Sequence, residues 1–169
     1  MLDQPTRRDF LRGGRSGPPA IRPPGAGPEP GFSALCTKCG DCEAACPEAI
    51  IHRDATGFPV VDPARGACTF CLACTGACPS GALTETAPWP WRAEASEGCL
   101  ARHGVECRAC EDHCDASAIR FLPMLGGRSE PVFLRDACTG CGGCVAPCPA
   151  GAIRLAPTGR PTEAGTTPC

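Results

Sequence analysis

Cys36, Cys39 and Cys42 stand three residues apart, and Cys46 follows four further on with Pro47 behind it. The same spelling, CxxCxxCxxxCP, returns at Cys68, Cys71, Cys74 and Cys78 with Pro79, and again at Cys138, Cys141, Cys144 and Cys148 with Pro149. Thiolates are soft donors, and four of them around one compact object suit a cubane [4Fe-4S] cluster, for which this spacing is the bacterial ferredoxin run. Three cysteines at steps of three let a short loop wrap the cluster while backbone N–H groups turn toward its sulfurs. Small residues between the ligands, such as Gly40, Gly76, Gly142 and Gly143, permit close approach. The fourth cysteine reaches the cluster of a partner run, so runs come in pairs, and the following Pro stops the backbone from returning to the first cluster. Zinc knuckles use two CxxC pairs and have no use for a third evenly spaced cysteine followed by Cys-Pro.

A fourth group departs from the template. In "CLARHGVECRACEDHC" the cysteines Cys107, Cys110 and Cys114 match positions two to four, but position one is Gly104, and the upstream thiol is Cys99, at a step of eight. A longer loop still delivers a ligand, because closure entropy rises slowly with length. Without this group, the run at 138–148 would lack the partner that Cys114 supplies, so a working variant led by Cys99 is the favoured reading. His103 is the alternative first ligand, and a lost cluster with remnant cysteines is the third possibility. Asp115 replaces the proline, and Glu106, Arg108, Glu111, Asp112 and His113 make this loop the most polar of the four. A cluster held here is expected to be more exposed than the others.

The elements around these groups must be small. Leu, Ile, Val and Phe number 26 of 169 residues, while Gly and Pro contribute 21 and 20. That is too little apolar area for an ordinary core and too much turn content for long helices. Metal ligation is the expected substitute. Residues 1–31, Pro- and Gly-rich with five Arg against three acids, read as a flexible basic arm. From residue 32 one unit recurs: a cysteine loop, a Cys-Pro step, an apolar stretch, a turn and a second extended stretch. "AIIHRDATGFPVVD" predicts a hairpin around Gly57, and "AIRFLPMLGGRSEPVFLRD" another around Gly126 and Gly127. The expected organisation is an α+β protein of two tandem bacterial-type 2[4Fe-4S] ferredoxin-like modules with short hairpins, short helices and little conventional core. The first module spans 32–84, a linker 85–98, the second module 99–157, and a disordered tail 158–169. Trp89 and Trp91 are expected to pack between the halves, Met124 within its hairpin, and Cys169 to be a free thiol outside the groups.

With the motifs placed, the chain resembles the NapF family, the ferredoxin-type accessory proteins of the periplasmic nitrate reductase system. The resemblance rests on "RRDFLRG" (7–13), "AIRPP" (20–24), the three regular runs and the displaced first cysteine of the group at 99–114, and it covers about residues 6–156. It implies a cytoplasmic protein with four [4Fe-4S] clusters that contacts the precursor of the nitrate reductase catalytic subunit before export and assists its maturation. The generic ferredoxin pairing implies Cys36, Cys39, Cys42 with Cys78; Cys68, Cys71, Cys74 with Cys46; Cys99, Cys107, Cys110 with Cys148; and Cys138, Cys141, Cys144 with Cys114.

"TRRDFLRG" looks like a twin-arginine export motif, but "GRSGPPAIRPPGAGPEP" follows where an apolar segment is needed, so export is not expected. No stretch has the roughly 18 apolar residues of a membrane span, and a formal charge of −2 argues against nucleic acid. No phosphate-cradling loop, HExxH or nucleophile setting is present, so the chain is not expected to be an enzyme. A general electron-transfer ferredoxin linking a dehydrogenase to a reductase is the alternative to an accessory role, and a redox-silent zinc adaptor is the third class. Four oxidised clusters, each about −2 with its thiolates, would make the body strongly acidic beside its basic arm.

Overall fold

The computed structural model describes residues 19–158. Helices are brief, as the Gly and Pro content demands: α1 (Gly31–Leu35), α2 (Asp41–Ala44), α3 (Ala73–Gly76) and α4 (Ala109–Asp112), with a 3-10 turn at Leu100–His103. The strands form three antiparallel two-stranded ribbons. β1 (Ile51–Arg53) pairs with β2 (Pro59–Val61), and β4 (Ile119–Pro123) pairs with β5 (Ser129–Phe133), which are the two expected hairpins. Asp54 builds the first turn by accepting bonds from the backbone N–H groups of Thr56 and Phe58, while Gly57 takes the φ of +86° that closes it.

The third ribbon was not foreseen. β3 (Trp91–Ala95) pairs with β6 (Ile153–Pro157), Trp91 opposite Pro157 and Ala95 opposite Ile153. β3 lies inside the segment expected to be a linker. Its alternation explains the pairing: Trp91 and Ala93 are buried, while Arg92 and Glu94 lie on the other face, and Arg154 of β6 donates to Glu94 at 2.7 Å. The second module therefore begins at β3 and not at residue 99.

The arm boundary at residue 31 is likewise too late. Residues 1–18, including "RRDFLRG", lie outside the described residues, as do 159–169 with Cys169, but residues 19–30 form a strap across the first module. Val61 donates its N–H to Ile21 O at 2.7 Å, Thr84 donates to Gly25 O at 2.8 Å, and Ala26 bridges Leu83. Pro23 is fully buried. A proline-rich segment can be buried cheaply because it brings few N–H groups that need partners, and that is why a composition typical of linkers is ordered here. The strap closes the stretch after Cys78 much as β3 closes the stretch after Cys148, so each module is completed by chain that precedes its first cysteine run.

Arg22 pins the strap. Its guanidinium donates to Asp54 at 3.0 Å, approaches Glu29 at 3.4 Å, and lies over the rings of Phe32 and Phe58. Burial works against the Asp54 charge, but hydrogen bonds from Thr56, Arg22 and Phe58 outweigh it and hold the carboxyl down at about 2. Replacing Arg22 by Ala should cost about 1–2 kcal/mol locally and speed amide exchange across 19–30 by about 10-fold. Because the folded carboxyl titrates below its ordinary 3.8, its contribution is complete above that value and fades only as pH falls through about 2. The difference in strap exchange between the wild type and Asp54→Asn should therefore be flat from neutral pH down to about pH 5. A difference that shrinks across that range contradicts the arrangement.

Two small cores result. Phe32, Ile50, Ile51, Val61, Ala82 and Leu83 form the first, joined by Cys42 and Cys74. The second contains Trp91, Ile119, Phe121, Ile153 and Leu155, joined by Cys99, Cys110 and Cys144.

Candidate metal centre

The regular runs share a backbone device. The residue before the second cysteine has positive φ in each, at Lys38, Phe70 and Gly140, and so does the residue after it, at Gly40, Leu72 and Gly142. Left-handed conformations cost Phe70 and Leu72 about 1 kcal/mol or more each, and such strain persists where surrounding structure enforces it, commonly at a ligand cradle. The group at 99–114 lacks both turns: Arg108, after its second cysteine, has φ −131°. Its loop is built differently, with Gly104 at φ +79° ending the 3-10 turn that Cys99 opens. All four groups keep a third left-handed position, three residues after the last cysteine, at Ala49, Gly81, Ser117 and Gly151. This turn swings following amides back onto sulfur: Ala118 N–H donates to Cys114 Sγ, and Ala152 N–H to Cys148 Sγ, each at 3.2 Å. Ala93 of β3 adds an N–H bond to Cys138 Sγ at 3.5 Å.

The thiols of the first module line two pockets, each shared between its two runs. One pocket is lined by Cys36, Cys39 and Cys42 together with Cys78 from the second run. A second is lined by Cys68, Cys71 and Cys74 together with Cys46 from the first. In the other module the Cys110 thiol lies close enough to Cys99, Cys148 and Cys107 to feel their charges, and Cys144 is set among Cys141, Cys138 and Cys110. Cys114 packs on the same core as Cys138 and Cys148. His103 points elsewhere, its Nε2 engaged with Glu97 O at 2.8 Å. The geometry thus gathers Cys99, not His103, with Cys107, Cys110 and Cys148.

The third cysteine of every group is buried, Cys42, Cys74, Cys110 and Cys144, and in the group at 99–114 Cys99 is buried too. Burial, reinforced by neighbouring thiols, pushes Cys42, Cys68 and Cys110 up to about 11 and Cys144 to about 12. Exposed Cys71 is shifted down, first by the Ala73 N–H, and Cys78 ends lower too, because bonds from Ser80, Leu83 and Ala82 outweigh its burial. A metal entering these sites displaces protons from the buried thiols. Contrary to expectation, the group at 99–114 is not the most open. Cys99 is only 8 % exposed and the other three cysteines of the group are buried or half-buried, whereas Cys39 and Cys71 are exposed. The polar side chains turn outward and lock the loop: Arg102 donates to Glu130 on β5 and to Glu97, and Arg108 pairs with Glu111.

Among the described residues no three His, Cys, Asp or Glu side chains converge tightly enough for a single metal ion. A lone zinc needs its donors within about 2.3 Å of one point. Thiols that ring wider pockets, facing one another across two runs, fit instead a polynuclear group that brings its own bridging atoms. Trp89 does pack between the halves, as anticipated, while Met124 is 55 % exposed near the hairpin tip and is not a packing residue.

Comparison with known proteins agrees with this architecture. Residues 35–83 match a family model described as a 4Fe-4S dicluster domain, and residues 105–162 match a second model of the same description. Over 137 residues, 80 % of this chain and 78 % of the relative, the sequence is 44 % identical to the ferredoxin-type protein NapF of Haemophilus influenzae. Identity to the NapF protein of Escherichia coli K12 is 40 % over 151 residues, covering 88 % of this chain and 92 % of that one. The methylamine utilization ferredoxin-type protein MauM of Methylorubrum extorquens is 34 % identical over 170 residues, covering 82 % and 73 %. The molecule is accordingly an α+β iron-sulfur protein of two tandem 4Fe-4S dicluster domains.

Proposed function

The chain belongs to the NapF family of ferredoxin-type proteins, and from that premise we propose that it carries four [4Fe-4S] clusters and serves the cytoplasmic maturation of the catalytic subunit of periplasmic nitrate reductase before export. The observation that best supports the cluster count is the closeness of the Cys110 thiol to Cys99, Cys107 and Cys148, by which the displaced group keeps a four-cysteine neighbourhood like those of the first module. When bound, such clusters supply one-electron redox chemistry. The chain's own residues hold and shield them: sixteen cysteines as ligands, left-handed turns that aim amides at sulfur, and the strap and β3 as covers. Ferredoxin-type proteins are carriers or accessories rather than catalysts, and the same is proposed of this chain. Among the described residues no helix is long and apolar enough to cross a membrane; a cytoplasmic location is part of the proposal.

The client reading is supported by the NapF relationship. The similarity to MauM, named for methylamine utilization, favours a second reading, a general electron carrier whose fold serves more than one redox system. The two differ in what deletion does. If the chain is an accessory, it co-purifies with the unexported reductase precursor, and deletion lowers the reductase's molybdenum and iron content while electron delivery to mature enzyme persists. Normal cofactor content with failed electron delivery supports the carrier instead.

A further inference from the structure

Cys68 donates its backbone N–H to Cys141 O at 2.8 Å, joining the leading loop of one cysteine run to the middle of another in the opposite module. Around this bond the two loops abut closely. A Cβ on Gly142 would meet Pro63 Cβ at 2.8 Å, and one on Gly143 would meet Ala67 Cβ at 3.3 Å. At Gly140, where φ is +76°, a Cβ would collide with Trp91 O and the Trp89 ring nitrogen. Trp89 closes the joint: its Nε1–H donates to Gly140 O at 3.1 Å, and Phe70 meets its ring edge-on with centroids 5.9 Å apart. Trp89 and Ile21 are the partly buried side chains that pack against both cores.

We infer that this joint sets the second thiol group (Cys68, Cys71, Cys74, Cys46) directly beside the fourth (Cys138, Cys141, Cys144, Cys114), with Trp89 as the positioning residue. The four groups then form one series, first, second, fourth, third, and not two independent pairs. Inside each module, adjacency follows from crossed cysteines: Cys46 and Cys78 exchange pockets in the first, and Cys110 lies near both Cys148 and Cys144 in the second. The joint is made by the loops of the second and fourth groups, so the first and third groups stand at the two ends. Glycine at 142 and 143 is what lets the loops meet, since a Cβ there would press on Pro63 or Ala67, while glycine at 140 makes room for the Trp89–Trp91 segment that closes the joint. This inference rests on the four-cluster reading only for its spectroscopic arm.

The test uses the full chain purified without oxygen, as wild type, Trp89→Ala and Trp89→Phe. Hydrogen exchange is followed over 63–71 and 138–144, and low-temperature EPR is recorded on the fully reduced protein beside iron counts. The wild type should protect both segments and give a spectrum with spin interaction beyond that of two isolated pairs. Trp89→Ala should keep its iron, exchange both segments about 10-fold faster and lose the inter-module interaction, with Trp89→Phe intermediate because the ring stays and the N–H is lost. Unprotected segments in the wild type, or a spectrum that is the sum of two pairs, overturn the joint without reference to any variant. Exchange unchanged by Trp89→Ala overturns the role of Trp89. A wild-type chain that is folded but free of iron sinks the four-cluster reading instead, and the exchange arm then still decides the joint.

Discussion

Cys99→Ser is expected to remove one cluster's iron, about four atoms of about sixteen, while the first module keeps its full complement. The expectation follows from where the thiol lies. Cys99 opens the 3-10 turn, is 8 % exposed, and faces Cys110 with Cys107 and Cys148. Serine keeps the size and the backbone role of accepting from Arg102 N–H, so lost iron reports the thiol and not the fold. The third site should empty first. The fourth should lose nothing directly, because the proposed outside ligand there is Cys114, although its neighbour's absence should leave it more labile to chelators. His103→Ala should leave the iron unchanged, its ring being committed to Glu97 O. Iron and sulfide per chain after anaerobic purification measure both. Unchanged iron in Cys99→Ser with a loss in His103→Ala would reverse the assignment.

Complete removal of iron should unfold the whole chain. Among the described residues each helix has only four or five residues, far below what stands alone in water. The strands come only in pairs, and a two-stranded ribbon is marginal by itself. Both cores count cysteine side chains among their buried members, Cys42 and Cys74 in one, Cys99, Cys110 and Cys144 in the other. Without metal the Cys42, Cys110 and Cys144 thiols, pushed up by burial, sit protonated in apolar surroundings and tie nothing together. The apo chain is therefore expected to lose its far-UV signal and its amide protection across β3 and β6 together, and to recover both on anaerobic return of iron and sulfide. An iron-free chain with a dispersed NMR spectrum would falsify that dependence.

What could be read from residues alone follows the range of the interaction. Three runs were legible because a cubane's ligands are spaced by local loop geometry, and both hairpins because Gly57 and the Gly126–Gly127 pair mark their turns. The strap and β3 escaped notice because their partners are distant in sequence: Val61 and Thr84 for the strap, 153–157 for β3. Proline at 23 and 24 suggested a loose arm, yet Pro23 is fully buried and Pro24 O accepts from Thr75 Oγ1 at 3.3 Å. The alternation of Trp91, Ala93 and Ala95 against Arg92 and Glu94 was the available signal for β3, brief enough to pass for a linker. The polar loop at 106–113 misled for another reason. Counting charged residues says how wet a surface is, and not how deep the thiols beneath it lie.

That each module is finished by chain preceding its cysteine runs bears on how the molecule is made. As the polypeptide leaves the ribosome, the strap is already outside when residues 82–84 arrive to meet it, so the first half can seal while the second is still being translated. β3 then waits as a lone ribbon edge until 153–157 is released. For that interval the later half lacks its cover, so the first module is expected to close before the second.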